Sequence, residues 1–138
     1  MIGILIVTHS QLGQALIDAA EFITGKKPDN TMAVSIDINE AADKLRRKIA
    51  EGIKAVDQHQ GILILTDMFG GTPSNLSYSF LEEGKIEVIS GVNLPILIRA
   101  DSAREKQALT QLAVNLEIYG RKSISLASSI LKGNKRTG

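Results

Sequence analysis

Gly61-Ile62-Leu63-Ile64-Leu65-Thr66-Asp67-Met68-Phe69-Gly70-Gly71-Thr72-Pro73-Ser74-Asn75 decides the fold. Ile62 to Leu65 is an unbroken apolar run with no polar alternation, the pattern of a strand buried on both faces of a parallel sheet. Thr66 and Asp67 place polar groups at its carboxyl end. Gly70 and Gly71 permit positive φ and close backbone approach, and Thr72-Pro73 reads as an N-cap followed by proline at the first helical position. A strand thus delivers a carboxylate and runs through a glycine turn into a helix start, whose free N–H groups favour an anion. Taken alone, the same stretch is also what an ordinary strand-to-helix turn looks like.

Outward from it, the pattern repeats. Ile2 to Thr8 is a second buried-strand signature, β-branched and ending at Thr8-His9-Ser10. Leu12, Ala15, Leu16, Ala19, Ala20 and Ile23 follow at helical spacing, with Gly25 at the C′ position. After the turn at residues 26–30, Met32 to Ile36 is a shorter strand. Asn39 can cap a helix that buries Leu45, Ile49, Ile53 and Val56, while Asp43, Lys44, Arg46, Arg47 and Lys48 form its solvated face. Pro73 to about Glu83 reads as the third helix and Ile86 to Ser90 as the fourth strand. Asn93 as N-cap with Pro95 in the first turn favours a short helix over residues 94–98. Ser102 and Glu105 have capping-box spacing for a last helix that buries Leu109, Leu112, Ala113 and Leu116 and stops at Gly120. Lys122 to Leu126 alternates weakly and is a candidate final strand, an exposed edge inviting a second chain. Residues 132–138 read as a frayed polar tail.

Strands alternating with helices give an α/β fold, a doubly wound sheet of four parallel strands in the order 2-1-3-4. One domain over residues 1–131 is expected, since 138 residues suffice for a single core. With strand one beside strand three, His9 and Asp67 end neighbouring strands about 4.8 Å apart at the switch point, the default ligand crevice.

Composition removes several classes of function. A net charge of +1 offers no broad field for nucleic acid or an anionic membrane, and aromatic residues at 4% give no base-stacking surface. The absence of cysteine excludes thiolate metal sites and cysteine nucleophiles. His9 and Asp67 alone are too few ligands for zinc. Gly70-Gly71-Thr72-Pro73 lacks the lysine and the spacing of nucleotide loops. No stretch has the length or flanks of a membrane span or signal peptide, so a cytoplasmic protein is expected.

What remains is nucleophilic chemistry. A carboxylate bonded to Nδ1–H fixes the tautomer of His9 and leaves Nε2 as the lone-pair nitrogen. Beside an oxyanion-stabilising turn, this suggests phosphoryl transfer onto the histidine itself, which needs positioning and charge stabilisation rather than elaborate acid–base chemistry. His59, in the polar turn Asp57-Gln58-His59-Gln60, reads as a surface residue. Ser10, Ser74 and Asn75 either line the crevice or cap local structure.

Thr8-His9 closing the first strand, the stretch Thr66 to Asn75, and Ser90-Gly91-Val92-Asn93-Leu94-Pro95 together resemble the enzyme IIA domain of the mannose family of the bacterial sugar phosphotransferase system. The resemblance covers Met1 to about Leu131. It implies that His9 carries a phosphoryl group on Nε2, accepted from the phosphorylated carrier protein HPr and passed to a IIB partner for sugar uptake. It makes Asp67 the Nδ1 partner and Thr72 the hydroxyl on the phosphoryl oxygens, with Gly71, Thr66 and Ser10 as further phosphoryl-binding positions. It also implies a helical region over residues 93–100 and a homodimer exchanging an antiparallel C-terminal strand. No cofactor or metal is implied, and the membrane is reached only through IIC and IID components. Position 69 is Phe where many sugar-transporting members have Trp. The phosphotransfer subunit of dihydroxyacetone kinase shares the fold but has a different glycine loop. With no IIB segment following, either IIB is a separate chain or the protein is a free-standing regulatory member whose phosphorylation state controls binding to a target. A flavodoxin-like small-ligand binder is the third reading, weakened by the low aromatic content.

Overall fold

The computed structural model describes residues 1–132 and contains four strands and six helices in that span. In chain order these are β1 (Gly3–His9), α1 (Leu12–Thr24), β2 (Thr31–Ile36), α2 (Ala42–Val56), β3 (Ile62–Thr66), α3 (Thr72–Tyr78), β4 (Ile86–Ser90), α4 (Leu94–Ala103), α5 (Leu109–Lys122) and α6 (Ala127–Leu131). The strands are parallel in the order β2-β1-β3-β4, the doubly wound arrangement expected from the sequence.

The unbroken apolar runs of β1 and β3 have a direct physical cause. Successive side chains point to opposite faces, and both faces are covered. Ile4, Ile6, Leu63 and Leu65 pack against α1, α4 and α5 on one side. Leu5, Val7, Ile62 and Ile64 pack against α2 and Leu76 of α3 on the other. Each such side chain contributes about 1.5–3 kcal/mol when fully buried, so a polar residue in either run would be costly. In α2 the buried positions Leu45, Ile49 and Val56 are those the periodicity selects, and Ile53 is half-buried.

Several boundaries differ from the sequence expectation, each for a local reason. The buried stripe of α1 is Gly13, Ile17 and Ala20, while Leu12 and Ile23 are largely exposed. Asn39 does not cap α2; its N–H bonds to Asp37 Oδ1 at 2.9 Å, and Ala41 holds the cap position. At α3 the cap is Gly71, with Thr72 the first helical residue, and the helix ends at Tyr78 rather than near Glu83. Ser102 lies inside α4 and donates back to Arg99 O, so the capping box is not formed. Gly120 does not stop α5: it is a packing glycine, buried against Ile96, and the helix continues to Lys122. Asn93 does cap α4, accepting the Ile96 N–H at 2.8 Å.

Lys122 therefore belongs to a helix, and residues 123–126 form no strand among the described residues. β2 and β4 are the two edges of the sheet, and Glu82 bridges Ile86 of β4. The expected polar tail from residue 133 onward lies outside the described residues.

Candidate functional site

Thr8, fully buried at the end of β1, accepts the Gly13 N–H of α1 on its hydroxyl at 2.8 Å. That bond ties the strand end to the helix start and leaves only a tight turn between them. Ser10 makes the turn with φ 51, a left-handed conformation uncommon for a residue with a side chain. His9 is thus held at the carboxyl edge of the sheet, its ring 39% exposed.

Asp67 follows the last residue of β3, and the β1–β3 register sets Val7 level with Thr66. The carboxylate consequently meets His9 twice. Its Oδ2 accepts the His9 backbone N–H at 2.9 Å and lies 2.7 Å from Nδ1 of the ring. Its Oδ1 accepts the Met68 N–H at 3.0 Å. The side chain is only 12% exposed. Burial pushes the Asp67 carboxyl upward, but the His9 backbone N–H, the His9 ring bond and charge, and the Met68 N–H outweigh it. The net result lies below the usual carboxylate range. An ionised carboxylate only accepts, so Nδ1 carries the proton and Nε2 keeps its lone pair when the ring is neutral.

The glycine pair completes the pocket. Gly70 takes φ 83, which turns the chain sharply after Phe69. Gly71 has ordinary φ but faces the imidazole edge: a Cβ there would stand 3.0 Å from His9 Cε1 and 3.7 Å from Nε2. Only glycine allows the backbone at the start of α3 to approach the ring so closely. The first intrahelical bond runs from Asn75 N–H to Gly71 O at 2.9 Å, so the N–H groups of Thr72 and Ser74 precede the ladder. Thr72 is half-buried at the first helical position, and its hydroxyl has no hydrogen-bond partner among the described residues.

Not every expected site residue is brought to the ring. Thr66 is fully buried, its hydroxyl 2.6 Å from Ser74 Oγ and 2.9 Å from Ser90 Oγ, so it is not open to the crevice. Ser10 is exposed next to His9, and its carbonyl is bonded by Ser35 Oγ. Ser74 is buried rather than lining the crevice, and Asn75 is exposed on α3. His59 sits in the exposed turn before β3, at the opposite end of that strand from Asp67, with its N–H on Asp57 Oδ1. Reasoning from sequence missed Ser90 and Tyr78, which bond each other at 2.6 Å beneath the loop. The available signal was the register, which sets Ser90 level with Thr66 on the neighbouring strand. Around the mouth, Met68 and Phe69 are more than half exposed, and the Phe69 ring leans on Tyr78 with centroids 6.1 Å apart. Among the described residues, no group of three or more His, Cys, Asp or Glu side chains could hold a metal ion. In the same residues, no helix is long and apolar enough to cross a membrane.

Fold and site together define a doubly wound α/β protein with a carboxylate-oriented histidine at the switch point. A family model described as "PTS system fructose IIA component" matches residues 3–117, and the chain belongs to that family, the mannose-type IIA components of the sugar phosphotransferase system. The fructose-specific EIIA component of Bacillus subtilis (strain 168) is 34% identical over 133 residues, covering 96% of this chain and 90% of its own. The mannose-specific EIIAB component of Escherichia coli (strain K12) is 31% identical over 128 residues, 89% of this chain but 39% of that protein. Among solved structures, the phosphotransferase system component EIIA from Streptococcus agalactiae superposes with a TM-score of 0.82 at 26% identity, covering 94% of this chain and 99% of that one. The protein is accordingly a phosphotransferase-type IIA component.

Proposed function

We propose that this chain is a phosphocarrier: His9 accepts a phosphoryl group on Nε2 from phospho-HPr and passes it to a IIB protein during sugar uptake. The observation that carries the reading is the 2.7 Å contact between His9 Nδ1 and Asp67 Oδ2. It orients the ring, fixes the tautomer and stabilises positive charge on the imidazole as Nε2 forms a bond. In the transfer, Nε2 attacks phosphorus in line with the donor nitrogen. The Nε2–P bond forms as the donor P–N bond breaks, and the electron pair leaves with the donor imidazole. The Nδ1 proton stays on His9, shared with Asp67. The N–H groups that follow Gly71 and the free hydroxyl of Thr72 are the groups assigned to the phosphoryl oxygens. No cofactor enters this scheme. The exposed Met68 and Phe69 rim is the surface that each protein partner meets.

The assembly we infer is a two-fold homodimer. β4 is an edge strand, bridged at Ile86 by Glu82, and is bordered by a groove of about 630 Å³ that runs between it and α5 and is lined in part by Tyr78, Ser90, Val114 and Ile124. Ile124 and Leu126 are largely exposed, as are Ile130 and Leu131 of α6. A second copy whose residues 123–126 add to β4 covers the edge and this apolar segment together.

The test is labelling. Incubation with phosphoenolpyruvate, enzyme I and HPr is expected to add one phosphoryl group per chain, labile in acid and stable in base. His9→Ala is expected to abolish it and His59→Ala to leave it unchanged. A label that survives acid, or that persists without His9, contradicts the reading. Phospho-protein that donates to no IIB partner would favour a regulatory role over transport.

A further inference from the structure

Beneath the His9–Asp67 pair lie hydroxyls that the transfer itself does not use. Ser74 Oγ donates to the Met68 carbonyl. With its single proton committed there, Ser74 can only accept from its neighbours. Ser90 Oγ lies 3.0 Å from Ser74 Oγ, and Tyr78 OH lies 2.6 Å from Ser90 Oγ. Protons therefore align in one direction, from Tyr78 O–H to Ser90, from Ser90 O–H to Ser74, and from Ser74 O–H to the Met68 carbonyl. Thr66 brings one further proton into the same cluster, its hydroxyl lying 2.6 Å from Ser74 Oγ and 2.9 Å from Ser90 Oγ. Chains of this kind polarise one another and hold their members in one geometry.

Met68 is gripped on both sides. Its carbonyl takes the end of the hydroxyl chain, and its N–H donates to Asp67 Oδ1 at 3.0 Å. The residue is 55% exposed, so backbone hydrogen bonds rather than burial hold it in place. The same carboxylate presents its other oxygen to His9.

We propose that Tyr78, Ser90 and Ser74 are positioning residues for His9. Through Met68 they set the rotation of the Asp67 carboxylate and so the orientation and tautomer of the imidazole. Any consequence for transfer rate rests on the phosphocarrier reading; the orientation itself does not.

The test uses Ser74→Ala, Tyr78→Phe and, as a control, Ser77→Ala. Ser77 is an equally buried hydroxyl on the same helix, but it bonds only Pro73 O, at 2.6 Å. Two quantities are read on each folded protein: the Nδ1–H resonance of the His9 ring in ¹H–¹⁵N spectra, and the rate of phosphoryl uptake from phospho-HPr. Ser74→Ala is expected to weaken or shift the Nδ1–H signal and slow uptake about tenfold, the size of one lost hydrogen bond acting on alignment. Tyr78→Phe is expected to act in the same direction by a factor of about 2–3, being further along the chain. Ser77→Ala is expected to match the wild type in both. If Ser74→Ala does not fold, Tyr78→Phe decides. The proposal is overturned if the folded Ser74 and Tyr78 variants keep the wild-type ring spectrum, or if Ser77→Ala moves it equally. Should the wild type accept no phosphoryl group, the phosphocarrier reading fails, and the ring spectra still decide the positioning role.

Discussion

At the scale of single residues, the site depends on a carboxylate kept ionised although it is nearly buried. Asp67→Asn keeps the size but removes the charge, and its NH₂ group can present Nδ1 with a donor where an acceptor is needed. Phosphoryl uptake is expected to fall about 10²-fold or more, as for other positioned groups that manage protons, measured by initial rates of labelling from phospho-HPr. The same residue contributes to acid stability. Its folded carboxyl titrates below the ordinary value of 3.8, so its contribution is fully present above that value and is lost as pH falls through the depressed one. Urea midpoints followed from pH 7 downward are expected to drop below about pH 4 less steeply for Asp67→Asn than for the wild type. Parallel curves would mean that the bond to His9 contributes nothing to folding. Gly71→Ala is a third residue-scale case. A methyl 3.0 Å from His9 Cε1 must displace the ring or the loop, and uptake is expected to fall about tenfold or more with little change in thermal midpoint, since a misplaced reacting group is costly.

At the scale of elements, what could be read in the chain follows how each element is buried. β1 and β3 were legible because a strand covered on both faces has no choice but a continuous apolar run. α2 was legible because one clean stripe is buried and the opposite face is charged. The stripe of α1 was misjudged because its apolar arc is wide, with only Gln14, Asp18 and Glu21 marking the polar face, so spacing does not select the buried line within it. Ser102 and Gly120 carry the right residue types for a cap and a stop, but the chain uses one mid-helix and the other for close packing. His9 and Asp67 were legible from their places at adjacent strand ends, whereas the Tyr78–Ser90–Ser74 cluster needed the register of β4, which no local pattern reveals. An element-scale prediction follows from Gly3, where β1 meets the end of α2. A Cβ there would lie 2.3 Å from Val56 O and 2.7 Å from Val56 Cγ2. Backbone must move to admit it, so Gly3→Ala is expected to destabilise by about 1–3 kcal/mol while leaving His9 labelling per folded chain unchanged. Equal urea midpoints for variant and wild type would show that the β1–α2 junction is looser than its geometry.

At the scale of the whole molecule, β2 and β4 are the two edges of the sheet, and the proposed second copy would cover β4 together with the exposed Ile124 and Leu126. The expected final strand is not an element of the described residues, where residues 123–126 follow α5 without strand structure. If the chain forms the proposed dimer, Ile124→Asp with Leu126→Asp is expected to convert it to a monomer in sedimentation velocity, since charge on an added edge strand opposes pairing. An unchanged sedimentation coefficient would place the interface elsewhere.

The central claim is that His9 carries the phosphoryl group on the nitrogen that Asp67 leaves free. With the histidine rings labelled with ¹⁵N, the phosphorylated chain is expected to show phosphorus coupling on Nε2 of His9, with Nδ1 still protonated. Coupling on Nδ1, coupling on His59, or a phosphoryl group with no bond to nitrogen would contradict it.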